Sequence, residues 1–489
     1  MPPRGALTGP VDPKLRSRLI GLGAYLLAIW IGMSVAQQDY SWAIVSMVAS
    51  VWLLLAWLRH SWSEAGILAF LFFCYIIGNR GFAQVTPISG LPLFFGELGL
   101  GFSLLMVIFR ASKRSELPVP RNWLNGVLLL LLAFGCGRIV FDVRSYGFVA
   151  LRDFATLYYA LFFFVTQAVC RQPQSRQEIS HAFLVTFAFL PVTSLATFLF
   201  PNFFQRDFVY KGIPLVLYKG DLQATSLFTG FIFLLPSGPW KGSTQRWRWL
   251  AALGSLVFGL TMTSRSGMMG LAVAICWLAW SGRWRPLQVL AVTCMLGLFS
   301  LTIYSTMQQK SFTQTKAYAV YEAVVSITDF SGTRNYQNEM TSDKGDNNQF
   351  RLVWWKNVAE ETLRSSPLLG LGFGADIARG FLQEYFPTGE VDFTARSPHN
   401  IFVTLLGRMG FTGLTLFLTL YFTVARHTAH AARMARRDPG WDNTMTLYAA
   451  CWVIMVSACF GVVLEGPMGA IPFWIMLGLA HYKATNSEA

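Results

Sequence analysis

His399 stands in Ser397-Pro398-His399-Asn400, at the end of a long polar stretch and immediately before an apolar run. Imidazole titrates near neutrality, so this residue is a candidate general base, with Asn400 beside it to orient a substrate. Arg265, in Thr263-Ser264-Arg265-Ser266-Gly267, joins two apolar runs with almost no loop between them. A guanidinium held there either snorkels to lipid phosphate or grips a phosphate or pyrophosphate through paired hydrogen bonds. Arg206, Lys211 and Lys219 follow the apolar run that ends at Phe200, and any of them can complete such an anion site.

The elements that must position these groups are set by composition. Of 489 residues 54% are hydrophobic and 13% charged, and the mean hydropathy is +0.44. That excludes an ordinary soluble protein and predicts an all-α polytopic membrane protein. Apolar stretches of roughly 17–25 residues, the length a helix needs to cross the hydrocarbon core, recur along the chain. They predict about fourteen spans: 19–36, 41–58, 65–79, 91–109, 123–141, 149–169, 179–200, 222–236, 247–263, 266–281, 287–305, 398–425, 443–464 and 467–482. Alternating barrel strands are absent from the pattern.

Lys and Arg collect before the first span and in every second connection, as in Arg110, Lys113, Arg114 and Arg121, or Arg426, Arg433, Arg436 and Arg437. The positive-inside rule makes these connections cytoplasmic and returns both termini to that side. Orientation accounts for much of the +14 net charge, so nucleic-acid binding is not indicated. The first apolar stretch lacks a cleavage pattern and reads as a retained signal anchor. The expected organisation is a cytoplasmic tail 1–18, a bundle 19–305 of about eleven spans, an extracytoplasmic loop 306–397, about three spans over 398–482 and a tail 483–489. On this topology His399 is the one histidine of six that lies outside the cytoplasm.

The 306–397 loop is polar at first and then periodic. Phe350 to Leu363 reads as an amphipathic helix carrying Arg351, and a second short helix is predicted from Ala375 to Tyr385. Gly370-Leu371-Gly372-Phe373-Gly374 follows no strand and has no Walker lysine, which favours a tight turn over a phosphate loop. Trp354 and Trp355 read as interfacial anchors rather than sugar platforms. Arg138 and Arg152 have Asp142 and Asp153 as expected ion-pair partners, whereas Arg408 and Glu97 are charges inside apolar runs that must face the bundle or find a partner. Glu384, Glu390 and Asp392 read as solvated loop residues. No paired-carboxylate pattern for a divalent ion is visible on the outer side, and the seven cysteines have no metal-ligand spacing, so no metal and no cofactor is expected.

Taken in order, Ser264-Arg265-Ser266-Gly267, Phe350-Arg351-Leu352-Val353-Trp354-Trp355, Pro367 to Gly374, and Ser397-Pro398-His399-Asn400 with Gly410-Phe411-Thr412-Gly413 resemble the bacterial O-antigen ligase and polymerase superfamily. The resemblance covers roughly Arg206 to Leu414. It implies a GT-C-like glycosyltransferase of the bacterial inner membrane with a polyprenyl-diphosphate-linked glycan as donor. The acceptor it implies is a sugar on lipid A-core for a ligase, or on the next lipid-linked repeat for a polymerase. By position, His399 and Arg265 match the family's catalytic histidine and arginine. Its other arginine matches Arg206, with Lys211 and Lys219 as competitors, and Arg351 and Asn400 join the substrate-binding set. Arg408 departs from the family, where an acidic residue is often found. Transfer would be inverting and metal-independent, and the number of spans leans the reading towards a polymerase of O-antigen or exopolysaccharide. A lipid-linked sugar flippase or polysaccharide transporter is the alternative from another class, with Glu97 as the acid it would use.

Overall fold

The computed structural model describes residues 64–86, 93–114, 120–235, 243–307, 311–329, 334–338, 341, 344–385 and 396–486. The expected spans 19–36 and 41–58 lie outside the described residues. Each later expected span overlaps a helix; 443–464 is helical only through Asp442–Ala458, and 149–169 is a pair of helices, Phe148–Tyr158 and Leu161–Val169, bent by 43°. Among the described residues four helices are long and apolar enough to cross a membrane: Phe95–Ser112 within Phe95–Arg114, Trp123–Tyr146, Pro173–Leu199 and Ile401–Ala435. The bent pair makes up to five. Others are apolar but short, such as Ala65–Ile77 and Arg265–Trp280.

Helices Arg265–Trp280, Asp442–Ala458 and Gly220–Leu234 pack against one another, and Gly220–Leu234 also packs on Ser243–Thr261. Pro467–Asn486 lies against Leu161–Val169 and Glu64–Ile77, and Ile401–Ala435 against Trp123–Tyr146. Asp442–Ala458 and Pro467–Asn486 are buried almost throughout, whereas Trp123–Tyr146 exposes Leu129, Leu130, Val140 and Phe141. A helix apolar on all sides and buried belongs in the centre of a bundle, and one with an exposed apolar face suits lipid.

At one end of the bundle, helix Lys344–Ser365 lies across Ile401–Ala435 and Arg379–Tyr385. It builds its own small core from Trp354, Val358, Ile377, Ala378 and Phe381. Trp354 is therefore not an interfacial anchor. It is fully buried, stacks on Phe381 with ring centroids 5.0 Å apart and donates its indole N–H to the Ile377 carbonyl at 2.9 Å.

The glycine-rich segment is a tight turn that breaks the helix below it. Gly410, at φ 63° and ψ −161°, interrupts Ile401–Ala435, and the freed backbone groups are taken up by the 367–371 segment. The Phe411 amide donates to the Pro367 carbonyl at 2.8 Å, and the Leu371 amide donates to the Gly407 carbonyl at 2.7 Å. Gly370 has φ 73° and sits so close that a Cβ there would lie 2.5 Å from the Gly410 nitrogen. Backbone against backbone at that distance leaves room only for hydrogen.

The charges inside apolar runs are paired. Arg408 is 3% exposed and faces the bundle. It pairs with Asp153 at 2.8 Å, and donates to the Gly372 carbonyl at 3.2 Å and also to that of Ala375. Arg138 pairs with Asp142 at 3.2 Å as expected, and donates to the Gly370 carbonyl at 3.2 Å. Asp153 does not serve Arg152: its partners are Arg396 and Arg408, each at 2.8 Å. Glu97 accepts from the hydroxyls of Tyr158 at 2.8 Å and Tyr159 at 2.5 Å. The six described cysteines are free thiols.

Candidate active site

Helix Ile401–Ala435 begins beneath His399. Asn400 is its N-cap: the buried carboxamide oxygen accepts from the amides of Phe402 at 2.9 Å and Val403 at 3.3 Å, satisfying donors a helix start leaves open. The structure thus gives Asn400 the task of fixing the histidine's footing. His399 itself has φ 57°, a left-handed conformation in which histidine is several-fold enriched over most residues. Its turn is pinned from both sides. The Trp355 indole donates to the Pro398 carbonyl at 2.6 Å, and the His399 amide donates to the Ser397 hydroxyl at 3.1 Å. The Trp354 ring lies 6.3 Å from the imidazole, centroid to centroid.

Arg265 is the first residue of its helix, entered through Thr263 at φ 49°. Ser264 caps that helix and donates its hydroxyl to Asp221 at 3.2 Å. The Arg265 guanidinium donates to the Asn348 carboxamide oxygen at 2.7 Å. Asn348 in turn donates to the carbonyls of Asp329 at 2.7 Å and Ser326 at 3.2 Å. Arg265 is thereby tied to the polar segment above it.

Arg351 reaches down from Lys344–Ser365 and donates to the Phe460 carbonyl at 2.9 Å. Lys219 is the N-cap of Gly220–Leu234, and its amide donates to the Asn79 carboxamide oxygen at 3.3 Å. The local fold behind it is a backbone-to-backbone seam in which the Gly81 amide donates to the Leu217 carbonyl at 3.3 Å.

These groups share one electrostatic neighbourhood. Burial first, and then the cations Arg351 and Lys219, lower the His399 pKa to about 4 against the opposing pull of Asp221. Burial likewise pulls Lys219 down, with Asp221 opposing and Arg80 reinforcing, and pulls Arg351 down with Asp221 opposing. Arg351 and Asp221 both act on Arg265. Arg351 and Lys219 thus act on the imidazole, Arg265 is linked to it through Arg351 and Asp221, and Asp221 is the counter-charge all three cations share. Cations gathered and partly buried in this way are what binding an anion by preorganised charge requires.

Of the residues singled out in the sequence, the structure brings Arg351 and Lys219 to His399, and Arg265 to Arg351. Arg206 and Lys211 stand apart from that description. Arg206 is exposed in the π-turn Phe203–Asp207, and Lys211 is exposed in the turn between Val209–Tyr210 and Ile213–Pro214, 5.4 Å above the Tyr210 ring. Asp221, Asn348, Arg80 and Glu465 went unnoticed as site residues. Only Asp221 left a trace, lying two residues after Lys219. Among the described residues no group of three or more His, Cys, Asp or Glu side chains is placed to hold a metal ion. Glu390 and Asp392 lie outside the described residues.

With the arrangement of His399, Arg265 and Arg351 in place, comparison with known families is decisive for this part of the chain. Residues 249–418 are an O-antigen ligase family domain. The matched segment holds Arg265, Arg351, His399 and the glycine turn that breaks the helix at Gly410, and it stops short of Lys219 and Glu465, which the fold adds from either side. The O-antigen ligase family transfers lipid-linked glycans. No curated protein matches the chain.

Proposed function

We propose that the protein is an inverting glycosyltransferase that moves a glycan from a polyprenyl diphosphate to a sugar hydroxyl on the outer face of the bacterial inner membrane. About fourteen spans with both termini in the cytoplasm would put the His399 end of the bundle on that face. The observation that carries this reading is the grouping of Arg351 and Lys219 with His399, and of Arg265 with Arg351, around Asp221 as the shared counter-charge.

The chemistry follows from the charges. As the acceptor oxygen attacks the anomeric carbon, the bond to the pyrophosphate oxygen breaks and negative charge grows on the leaving group. Fixed guanidinium and ammonium groups stabilise that charge where it develops, the role a divalent cation fills in other transferases. The acceptor hydroxyl gives its proton to neutral His399, and the new glycosidic bond forms on the opposite face of the sugar. The bound pyrophosphate also adds negative charge beside the imidazole. That raises its pKa from about 4 towards the ordinary value and makes it a competent base once the donor is in place.

The test is to incubate the protein in lipid with a polyprenyl-diphosphate-linked repeat unit, with and without lipid A-core, using His399→Ala as control. A ladder without lipid A-core identifies a polymerase, and transfer only in its presence identifies a ligase. Absence of transfer in both, or undiminished transfer by His399→Ala, overturns the reading.

A further inference from the structure

A second polar space adjoins the His399 site. A cavity of about 220 Å³ is lined by Arg152, Asp153, Arg396, Thr404, Arg408 and Glu465, and also by Ser397, two residues from the histidine. Glu465 connects the two spaces: it accepts from the Thr404 hydroxyl at 3.1 Å and acts electrostatically on both Lys219 and Arg408.

Among the described residues, the charges lining this cavity do not balance. Arg396 and Arg408 both bond the same Asp153 oxygen at 2.8 Å, and Arg396 also reaches the other oxygen at 3.3 Å. One carboxylate therefore serves two guanidinium groups, and Arg152 adds a third cation to the wall. Glu465 is the other acid among the described lining residues, and burial pushes its carboxyl up, which weakens it as a counter-charge. Arg408 is held as part of the fold by backbone carbonyls, so the charge that remains to be met lies with Arg152 and Arg396 at the cavity wall. Arg396 is half-buried and Arg152 exposed at the mouth, so the excess positive charge favours entry of an anion.

We propose that this cavity is an acceptor subsite that takes an acidic sugar residue, whose carboxylate or phosphate group meets Arg152 and Arg396. The inference rests on the transfer reading, which brings an acceptor hydroxyl to His399; the cavity is the polar space next to that point with room for one sugar ring. Thr404, Ser397 and Glu465 supply hydroxyl and carboxyl partners for the ring's own hydroxyls. The enzyme would then select acceptors by charge before it acts on them.

Calorimetric titration of the full-length protein in lipid nanodiscs tests this without requiring turnover. The probes are methyl glucuronide, methyl glucoside and glucose 6-phosphate. At least one acidic probe should bind about tenfold more tightly than methyl glucoside, and the stronger of the two identifies carboxylate or phosphate as the group recognised. Arg396→Gln and Arg152→Gln should each remove that preference; Arg152 is exposed, so its loss leaves the fold intact. Lys219→Met should retain the preference, because Lys219 belongs to the donor site. Equal binding of acidic and neutral probes overturns the proposal, as does a preference that survives Arg152→Gln or disappears in Lys219→Met. Selective binding without any transfer would sink the transferase reading and leave the anion subsite standing.

Discussion

Lowering the external pH should separate a buried, cation-flanked histidine from an ordinary one. The His399 pKa lies at about 4 in the donor-free site, against about 6.5 for an unperturbed imidazole. At pH 5 the neutral fraction is then about 90%, whereas an unperturbed group would be about 3% neutral, a difference of about 30-fold in competent base. The sign is fixed by the direction of the shift. Because the folded value is depressed, the neutral form persists as pH falls, and only below about 4 does the folded site take up the proton. For stability the same shift works the other way: the unfolded chain begins to bind a proton below about 6.5, so stability declines between there and the folded pKa. The assay is initial-rate transfer in proteoliposomes over a range of external pH. kcat/KM reports the free site and should hold nearly level down to about pH 5, while kcat, which reports the donor complex, should fall at a higher pH because pyrophosphate raises the imidazole pKa. An acid limb in kcat/KM near 6.5, or an unchanged limb in His399→Gln, refutes this account of the base.

Replacing Lys219 by Met should cost about 10- to 100-fold in kcat/KM through loss of a charge-assisted contact, whereas Arg206→Gln and Lys211→Gln should stay within about twofold because surface charges contribute little; side-by-side kinetics would decide which cation completes the clamp. Asn348→Leu removes the oxygen that holds Arg265, and a hydrogen bond to a charged group is worth about 1.5–3 kcal/mol, so kcat/KM should fall roughly 10- to 100-fold while thermal stability drops only modestly. Asp153→Asn leaves Arg396 and Arg408 without their shared carboxylate and should destabilise the fold by about 3–5 kcal/mol, read as a lowered melting temperature in detergent. Gly370→Ala should prevent the 367–371 turn from seating on Gly410 and abolish folded protein, visible in size-exclusion profiles, because the added carbon meets backbone at 2.5 Å.

Residue type and local period made the class of the molecule, most of its apolar helices from 65 onward, the later two helices of the polar segment and the pairing of Arg138 with Asp142 readable in the chain, but not helix Lys316–Val325 in the segment's polar first half. His399 and Arg265 stood out as candidates because a polar residue at the edge of an apolar run is conspicuous, and both lie within the segment that matches the family. The family domain was legible for the same reason: its motifs are local and ordered. Spacing along the chain carries no information on which distant groups share a space. Arg351 and Lys219 act on His399 only because helix starts and a crossing helix converge, and Arg206 is as good a candidate as Lys219 until it is seen exposed in the turn Phe203–Asp207. Trp354 could not be told from a membrane anchor until Phe381 was found stacked on it, and Asp153 could not be assigned to Arg396 and Arg408 over its neighbour Arg152. Pairing of buried charge is settled by distances of a few ångströms between elements remote in sequence, and those distances exist only once the helices are packed.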